Sequence, residues 1–208
     1  MSSKEHWDTV HQARVPELLT WYQADPALSL SLIRASTVGF DAAVVDVGGG
    51  SSRLVGHLLE QGYTNVTVLD VSSIALRYAR DRLADRAEDA TFIEGDALEH
   101  RFDSAVQLWH DRAVFHFLTE PADQSRYVER LNTTVASDGH VIIATFALDG
   151  PERCSGLRVQ RYGPETLSQA LGTGFEPVGF HTESHITPTG ATQSFLYGHF
   201  RRIGGPPN

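Results

Sequence analysis

Three consecutive glycines follow a short valine-rich run that contains an acidic residue. Asp46 lies in this run, a second acid, Asp70, ends the next apolar run, and the glycines between them are Gly48, Gly49 and Gly50. Glycines let a ligand approach the backbone, and an acid at the tip of the second strand can accept hydrogen bonds from both ribose hydroxyls. These residues predict a site for a cofactor that contains adenosine.

A dinucleotide cofactor is less well supported by the same loop. The pyrophosphate fingerprint has a third glycine at the position that Arg53 occupies here. A long side chain at that position would disturb the packing of the helix on the strand. A nicotinamide-dependent oxidoreductase therefore stays an alternative, as does a glycine turn that only connects a strand to a helix.

A second group of polar residues directly follows the fourth apolar run. It consists of Trp109, His110, Asp111 and Arg112, with His116 one helical turn beyond Arg112. A carboxylate or an imidazole can accept a proton from a reacting group. We therefore predict catalytic roles for Asp111, His110, His116 and Arg112. The structural alternative is an ion pair between Asp111 and Arg112 that caps the next helix.

Histidine is abundant, which raises the question of a metal site. The chain has ten histidines and one cysteine, Cys154. Four histidines are expected on the substrate side, namely His110, His116, His181 and His185. They do not have the close spacing of metal ligands that is found in motifs such as His-Glu-x-x-His. We predict no metal, and we interpret Cys154 as a loop cysteine outside the chemistry.

Alternating strand and helix patterns position these residues. Short apolar runs at 42–47, 66–69, 91–93, 105–108 and 141–146 are separated by helical patterns, and two longer strand patterns at 177–186 and 192–202 flank a turn. Strands alternating with helices predict a doubly wound α/β fold with a parallel sheet, and the last two strands predict an antiparallel hairpin. The first forty residues are helical in pattern, with Pro16 opening a helix that carries Leu18 to Tyr22.

Composition excludes several classes of protein. The 208 residues suit a single globular domain, and the net charge of −9 without a basic cluster argues against nucleic acid as a partner. The start of the chain lacks the apolar segment of a secretory signal, and no stretch is apolar enough to span a bilayer. We expect a cytoplasmic monomer or homodimer that makes no membrane contact.

These motifs together resemble those of class I S-adenosylmethionine-dependent methyltransferases. The resemblance covers residues 40–202 and depends on the Asp46 glycine loop, on Asp70 with Ser72 and Ala75, and on Gly95-Asp96 after the third strand. It implies a Rossmann-like sheet of seven strands, five or six of them parallel, that ends in an antiparallel hairpin. The pair Asp111-Arg112 is similar to the thiopurine-methylating branch and to some lysine-methylating relatives.

The resemblance also implies S-adenosylmethionine as the cofactor and roles for individual residues. The glycine loop would contact the methionine and ribose parts of the cofactor, Asp70 the ribose and Asp96 the adenine amino group. Neighbouring residues of these strand ends complete the expected cofactor site, namely Val71, Ala97 and Trp109. Residues 1–38 would form a helical lid in which Trp21 covers the cofactor, residues 39–203 the methyltransferase domain, and residues 204–208 a flexible tail.

The methyl acceptor is the least defined part of the prediction. A small molecule with a thiol, amine, hydroxyl or soft chalcogen nucleophile is expected first, because the sequence shows no appended recognition domain. Lysine methylation of a protein is the alternative, since an acidic enzyme suits a basic protein surface. A non-catalytic nucleotide-binding protein is a further alternative, which the polar cluster around Asp111 argues against.

Overall fold

The computed structural model describes residues 3–204 as one α/β unit built on a mixed sheet. The sheet order is β3-β2-β1-β4-β5-β9-β8. Its strands are β1 (Val44–Val47), β2 (Val66–Asp70), β3 (Ala90–Glu94), β4 (Val106–Arg112), β5 (Val135–Phe146), β8 (Phe175–Ile186) and β9 (Thr192–Arg202). The longer helices are α1 (Ser3–Ala13), α2 (Ala27–Ala35), α3 (Leu54–Glu60), α4 (Ser73–Leu83), α5 (Pro121–Thr134) and α6 (Pro164–Leu171).

Strands β1 to β5 run parallel, and β9 is antiparallel to both of its neighbours, β5 and β8. The predicted seven-stranded, doubly wound sheet with a terminal hairpin is therefore confirmed. The four terminal residues of the predicted tail, 205–208, lie outside the described residues. Within residues 3–204, no helix is both long and apolar enough to cross a membrane.

Alternating side chains divide the core into two layers, one on each face of the sheet. Val44, Leu108 and Ile142 pack on one face against α2 and α3. Val45 and Val47 point to the other face, where α5 and α6 cover them. Neighbouring residues on a strand face opposite ways, so the same alternation decides which layer each polar residue of β4 enters.

The structure corrects the predicted end of the fourth strand. The sequence placed that end at Leu108, but β4 continues through Arg112. The polar residues after Leu108 remain in the ladder because β1 and β5 flank them, with Asp111 opposite Val47 on one side and Ile143 on the other. Trp109 to Arg112 are thus part of the strand and do not follow it.

The helix predicted from Pro16 to Tyr22 is also wrong beyond its first turn. A 3-10 helix spans only Pro16–Leu18. Carbonyl groups that would continue a helix have distant partners instead, since the Thr20 oxygen is 2.8 Å from His185 Nε2 and the Trp21 oxygen accepts a hydrogen bond from Arg112. Two short strands that the sequence did not predict, β6 (Arg153–Cys154) and β7 (Leu157–Arg158), form a small hairpin after β5.

Candidate active site

The main cleft of the molecule lies at the carboxyl ends of the central parallel strands. Its volume is about 570 Å³, which lies in the range of small-molecule sites. Its lining includes Gly48, Asp70, Asp96, residues that follow β4, residues of α1, and Cys154 and Leu157 of the β6–β7 hairpin, whereas Gly49 lines a smaller cavity beside it. In open α/β sheets, ligands bind in the crevice where the strand order reverses, which here is between β1 and β4.

The glycine loop packs too closely against neighbouring residues to carry side chains. Gly48 has a φ of +66°, and a Cβ there would lie 2.2 Å from Val114 Cγ2. A Cβ on Gly49 would lie 2.1 Å from Asp46 Oδ2, and one on Gly50 would lie 2.6 Å from Ala75 Cβ. Larger residues would therefore clash at all three positions, and the loop forms a cradle of backbone at the end of β1.

Asp70 is the buried acid of the cleft. One of its carboxylate oxygens accepts a hydrogen bond from the Gly50 N–H at 3.0 Å and the other from the Ser72 N–H at 2.8 Å. Burial raises the pKa of Asp70 to about 6, although both N–H groups act in the opposite direction. A carboxylate has about four lone-pair sites, so this group can still accept hydrogen bonds from two hydroxyls of a ligand.

Asp96 is the exposed acid of the cleft. Its Oδ1 accepts a hydrogen bond from the Leu98 N–H at 2.8 Å, which fixes a turn after β3. Val71, Gly95 and Ala97 line the cleft beside it. The structure thus brings the predicted residues at the ends of β2 and β3 to one side of the same cleft.

His110 lies beside the glycine loop but is buried in a chain of hydrogen bonds. Its Nδ1 is 2.7 Å from Asp46 Oδ1, and its Nε2 is 2.9 Å from Ser29 Oγ. The order of hydroxyl, imidazole and carboxylate matches a nucleophilic triad, but the adjoining cavity of about 40 Å³ leaves no space for an acyl substrate. The contacts fix the orientation of Asp46, whose Oδ2 has no hydrogen-bond partner within residues 3–204.

Asp111 is completely buried on the opposite face of β4. One of its oxygens accepts a hydrogen bond from the Val114 N–H at 2.8 Å, and the other accepts from the Phe115 N–H and from the Tyr127 hydroxyl. Burial raises the pKa of Asp111 to about 6. The carboxylate caps the 3-10 helix Phe115–Phe117 and does not line the cleft, so the geometry described here gives its predicted catalytic role no support.

Arg112 points to the other face of β4 and lines the cleft. Its Nε donates a hydrogen bond to the Tyr197 hydroxyl at 2.8 Å, and its guanidinium lies 3.5 Å from Glu183 and over the Phe195 ring. Asp111 and Arg112 therefore contact different partners, and the structural ion pair considered between them does not form. Arg112 joins the terminal hairpin to the segment that carries Trp21.

Two further predicted residues lie away from the cleft. Trp109 is buried in the core, where its Nε1 donates a hydrogen bond to the Tyr127 hydroxyl at 2.9 Å. His116 is also fully buried, and desolvation together with Arg112 lowers its pKa to about 3, which keeps the imidazole neutral. Neither residue is in the cleft lining, and the roles predicted for them stay predictions.

The aromatic roof of the cleft includes residues that the sequence did not single out. Trp21 lines the cleft, and its predicted contact with the cofactor stays a prediction, while Trp7 lies edge-to-face with Trp21 and with Phe117 at ring distances of 5.9 and 5.0 Å. His6 and His11 of α1 also line the cleft. The spacing of these α1 residues, at positions 3, 6, 7 and 11, was the available signal, because it places them along one side of a helix.

Cys154 lies in the cleft lining, where burial raises the pKa of its thiol to about 11. The thiol is therefore protonated at neutral pH and is a poor nucleophile. Among the described residues 3–204, no group of three or more histidine, cysteine or acidic side chains has the geometry to hold a metal ion.

Comparisons with known proteins agree with this geometry. A methyltransferase-domain family model matches residues 44–139, which include the glycine loop, Asp70 and Asp96. The eEF1A lysine and N-terminal methyltransferase of Danio rerio is 25% identical over 150 residues, which are 70% of this chain and 21% of that protein. The chain thus spans about a fifth of the length of this curated relative.

Solved structures share the fold over nearly the whole chain. One, described as the conversion of a disulfide bond into a thioacetal group during echinomycin biosynthesis, has a TM-score of 0.79 at 20% identity and covers 97% of this chain and 93% of its own. Another is the Burkholderia thailandensis 1,6-didemethyltoxoflavin-N1-methyltransferase with bound S-adenosylhomocysteine. Its TM-score is 0.71 at 21% identity, with 98% of this chain and 92% of that chain covered. The matched domain, the fold and the cleft together support a class I S-adenosylmethionine-dependent methyltransferase.

Proposed function

We propose that this enzyme methylates a small, uncharged molecule in the cleft beneath α1. The observation that carries the proposal is the lining of the cleft, where a cofactor cradle on one side meets an aromatic and apolar surface on the other. When bound, S-adenosylmethionine supplies a methyl group on a positively charged sulfur. The protein has to hold the nucleophile close to that methyl group and exclude water from the cleft.

The residues present fit the cofactor. Gly48 lines the cleft without a side chain, so the methionine and ribose parts would lie against the backbone there. Asp70 would accept hydrogen bonds from the ribose hydroxyls and Asp96 one from the adenine amino group, and Val71 and Ala97 line the cleft beside them. Asp46, held in place by His110, lines the smaller cavity beside the cleft, and its unpartnered Oδ2 would be available to a cationic group at the methionine end of the cofactor.

The acceptor side of the cleft favours an uncharged molecule. Trp7, Phe117, Leu118 and Leu157 line it. Glu183, which lies near this side, is engaged with Arg112 and with the Tyr197 hydroxyl. Asp123 also lines the cleft, but it lies 3.4 Å from Arg126, so a cationic acceptor would lose its hydration and would have to compete with Arg126 for that carboxylate, which is costly.

We assign Asp111, His110 and His116 to positioning, because their contacts keep them in the core. Asp111 fixes the turn that carries Val114 and Phe117 beside the cleft, and His110 orients Asp46. Arg112 fixes the Trp21 segment over the cofactor through its hydrogen bond to the Trp21 carbonyl oxygen.

Methylation of a lysine in a protein is the second candidate. The similarity to the eEF1A lysine and N-terminal methyltransferase and the net charge of −9 favour it. In this case the lysine side chain would have to enter the cleft beside α1.

One labelling experiment separates these candidates. The protein is incubated with methyl-labelled S-adenosylmethionine and a cell extract that has been separated by size, with Asp70→Ala as the control. Label in the small-molecule fraction that depends on intact Asp70 supports the proposal, whereas label only in protein would overturn it in favour of the second candidate. Calorimetry with S-adenosylhomocysteine and NAD tests the cofactor separately, and tighter binding of NAD would contradict the assignment.

A further inference from the structure

Helix α1 has two flanks on either side of Trp7. On one flank, Asp8 Oδ1 accepts a hydrogen bond from the Ser72 hydroxyl at 2.7 Å, and Lys4 Nζ lies 2.8 Å from Glu94. Ser72 and Glu94 belong to the ends of β2 and β3, where the proposed cofactor site lies. This flank therefore fixes the helix to the cofactor side of the cleft.

His6 lies on the other flank of the helix. Successive residues of an α-helix are about 100° apart, so His6 and Asp8 diverge to opposite sides of Trp7. His6 still lines the cleft, and its ring is edge-to-face with Trp7 at 5.1 Å. The imidazole therefore borders the part of the cleft that the contacts to Ser72 and Glu94 do not occupy.

The His6 Nε2 atom is shielded from solvent and has no hydrogen-bond partner within residues 3–204. Leaving a buried polar atom unsatisfied costs roughly 1–3 kcal/mol. A helix that only packed on the domain would place an apolar residue at this position at no such cost. A polar ring beside an aromatic wall instead suits a ligand that is itself flat and carries a hydrogen-bond donor.

We propose that His6 binds the methyl acceptor, with its Nε2 accepting a hydrogen bond from an N–H or O–H group of a flat aromatic molecule that packs against Trp7. The inference rests on the proposed function and deepens it, because it names the class of acceptor. It also gives α1 two tasks, since one flank attaches the helix to the cofactor side and the other contacts the acceptor.

Binding of two matched probes tests this proposal without knowledge of the natural acceptor. Benzimidazole has an N–H donor, and N-methylbenzimidazole has the same ring system without that donor. Both are titrated into protein saturated with S-adenosylhomocysteine, and tryptophan fluorescence is the readout because two of the three tryptophans, Trp7 and Trp21, line the cleft. We expect benzimidazole to bind at least about fivefold more tightly than its methylated analogue.

Three variants assign the difference to the imidazole nitrogen. His6→Phe keeps a flat ring beside Trp7 but has no nitrogen, so it should bind the two probes equally. His6→Gln places an amide near the position of Nε2 and should keep part of the preference. His181→Gln, at an exposed position of β8 outside the cleft lining, is the control and should keep all of it.

Each outcome bears on one of the two proposals. Equal binding of the probes by the unmodified protein, no binding of either up to its solubility limit, or a preference that survives in His6→Phe would overturn the role of His6. S-adenosylhomocysteine affinity is measured by calorimetry on every variant and should be unchanged within about twofold. Normal S-adenosylhomocysteine binding together with a failed probe test would leave the proposed function standing, whereas failure to bind S-adenosylhomocysteine would overturn both.

Discussion

The end of β2 and the end of β4 carry similar residue types but use them differently. At β2, Asp70 lies in the cleft and accepts two backbone N–H groups with lone pairs to spare. At β4, Asp111 also accepts backbone N–H groups, but Tyr127 covers it and the core encloses it. An acid near a strand end is therefore a candidate ligand-binding residue only when its side chain reaches the cleft.

Strand length and the direction of the side chain decide between these outcomes. β2 ends at Asp70, so the chain turns away and leaves the carboxylate at the edge of the sheet. β4 continues to Arg112, and Asp111 sits opposite Val47 with its side chain directed into the layer under α5. The comparison predicts that changes at Asp70 alter cofactor binding and that changes at Asp111 alter stability.

The largest effect is expected from Asp111→Ala. The substitution leaves the Tyr127 hydroxyl and the Val114 and Phe115 N–H groups without their acceptor in the core. It should lower the free energy of unfolding by about 3 kcal/mol, which denaturant titration measures. The affinity of the folded fraction for S-adenosylhomocysteine should change by less than about threefold.

Asp111→Asn is the matched variant that would break the comparison. It keeps the size of the side chain and removes the charge, so a structural role predicts a lower melting temperature and surviving activity per folded molecule. If Asp111 instead accepts a proton from the acceptor, turnover should fall by roughly a hundredfold or more while stability is retained. That second result would restore the catalytic role predicted from the sequence.

A large loss of cofactor affinity is expected from Asp70→Ala. Charge-assisted hydrogen bonds to two ribose hydroxyls together contribute more than about 1.4 kcal/mol, so affinity for S-adenosylhomocysteine should fall at least about tenfold. Calorimetry gives the affinity, and circular dichroism of the same preparation checks the fold. Unchanged affinity would show that the ribose is held elsewhere.

The pH dependence of binding should carry the signature of the same carboxylate. Burial raises the pKa of Asp70 to about 6, so the group is ionised at neutral pH and becomes protonated as the pH falls through 6. Ribose hydroxyls donate to the ionised form, so affinity should be highest above pH 7 and about tenfold lower at pH 5. The measurement is calorimetry across this range, with Asp70→Asn as the control.

Asp70→Asn removes the titrating group and should show a nearly flat profile between these pH values. The other acid of the loop region, Asp46, is intact in this variant. If the affinity of Asp70→Asn still depended on pH, a group other than Asp70 would be responsible. The contrast between a ligand-binding acid at the end of β2 and a structural acid at the end of β4 would then be weaker.

The sheet, and the position of acids beside the cleft, could be predicted from the sequence because glycine marks two of the strand ends there. Gly48 ends β1 and Gly95 follows β3, so the position of each neighbouring acid could be inferred. No glycine or proline follows Leu108, and the polar residues after it looked like a loop although buried partners satisfy them. Those partners, Ser29 and Tyr127 among them, are distant in sequence and carry no local signal.

The roof of the cleft was predictable only in part for a related reason. The resemblance implied a helical lid at residues 1–38, but the contacts that orient α1 involve Ser72 and Glu94, which are far along the chain. The spacing of positions 3, 6, 7 and 11 places these residues on one side of the helix, but only those contacts show that this side, which includes His6, faces the cleft.

The smallest effect on cofactor affinity is expected from Asp96→Ala. This variant compares an exposed acid of the cofactor side with the buried Asp70. Asp96 is exposed, and water competes there for the adenine amino group, so one hydrogen bond contributes about 0.7 kcal/mol and affinity for S-adenosylhomocysteine should fall about threefold. The loss of the Leu98 N–H contact should leave the melting temperature almost unchanged, because that turn is solvent-accessible. Asp103→Ala, at an exposed position outside the cleft lining, is the matched control and should bind as the unmodified protein does. If Asp96→Ala lowered the affinity for S-adenosylhomocysteine as much as Asp70→Ala does, burial of an acid would not determine how much it contributes to cofactor binding. The expected difference between the buried Asp70 and the exposed Asp96 would then be wrong.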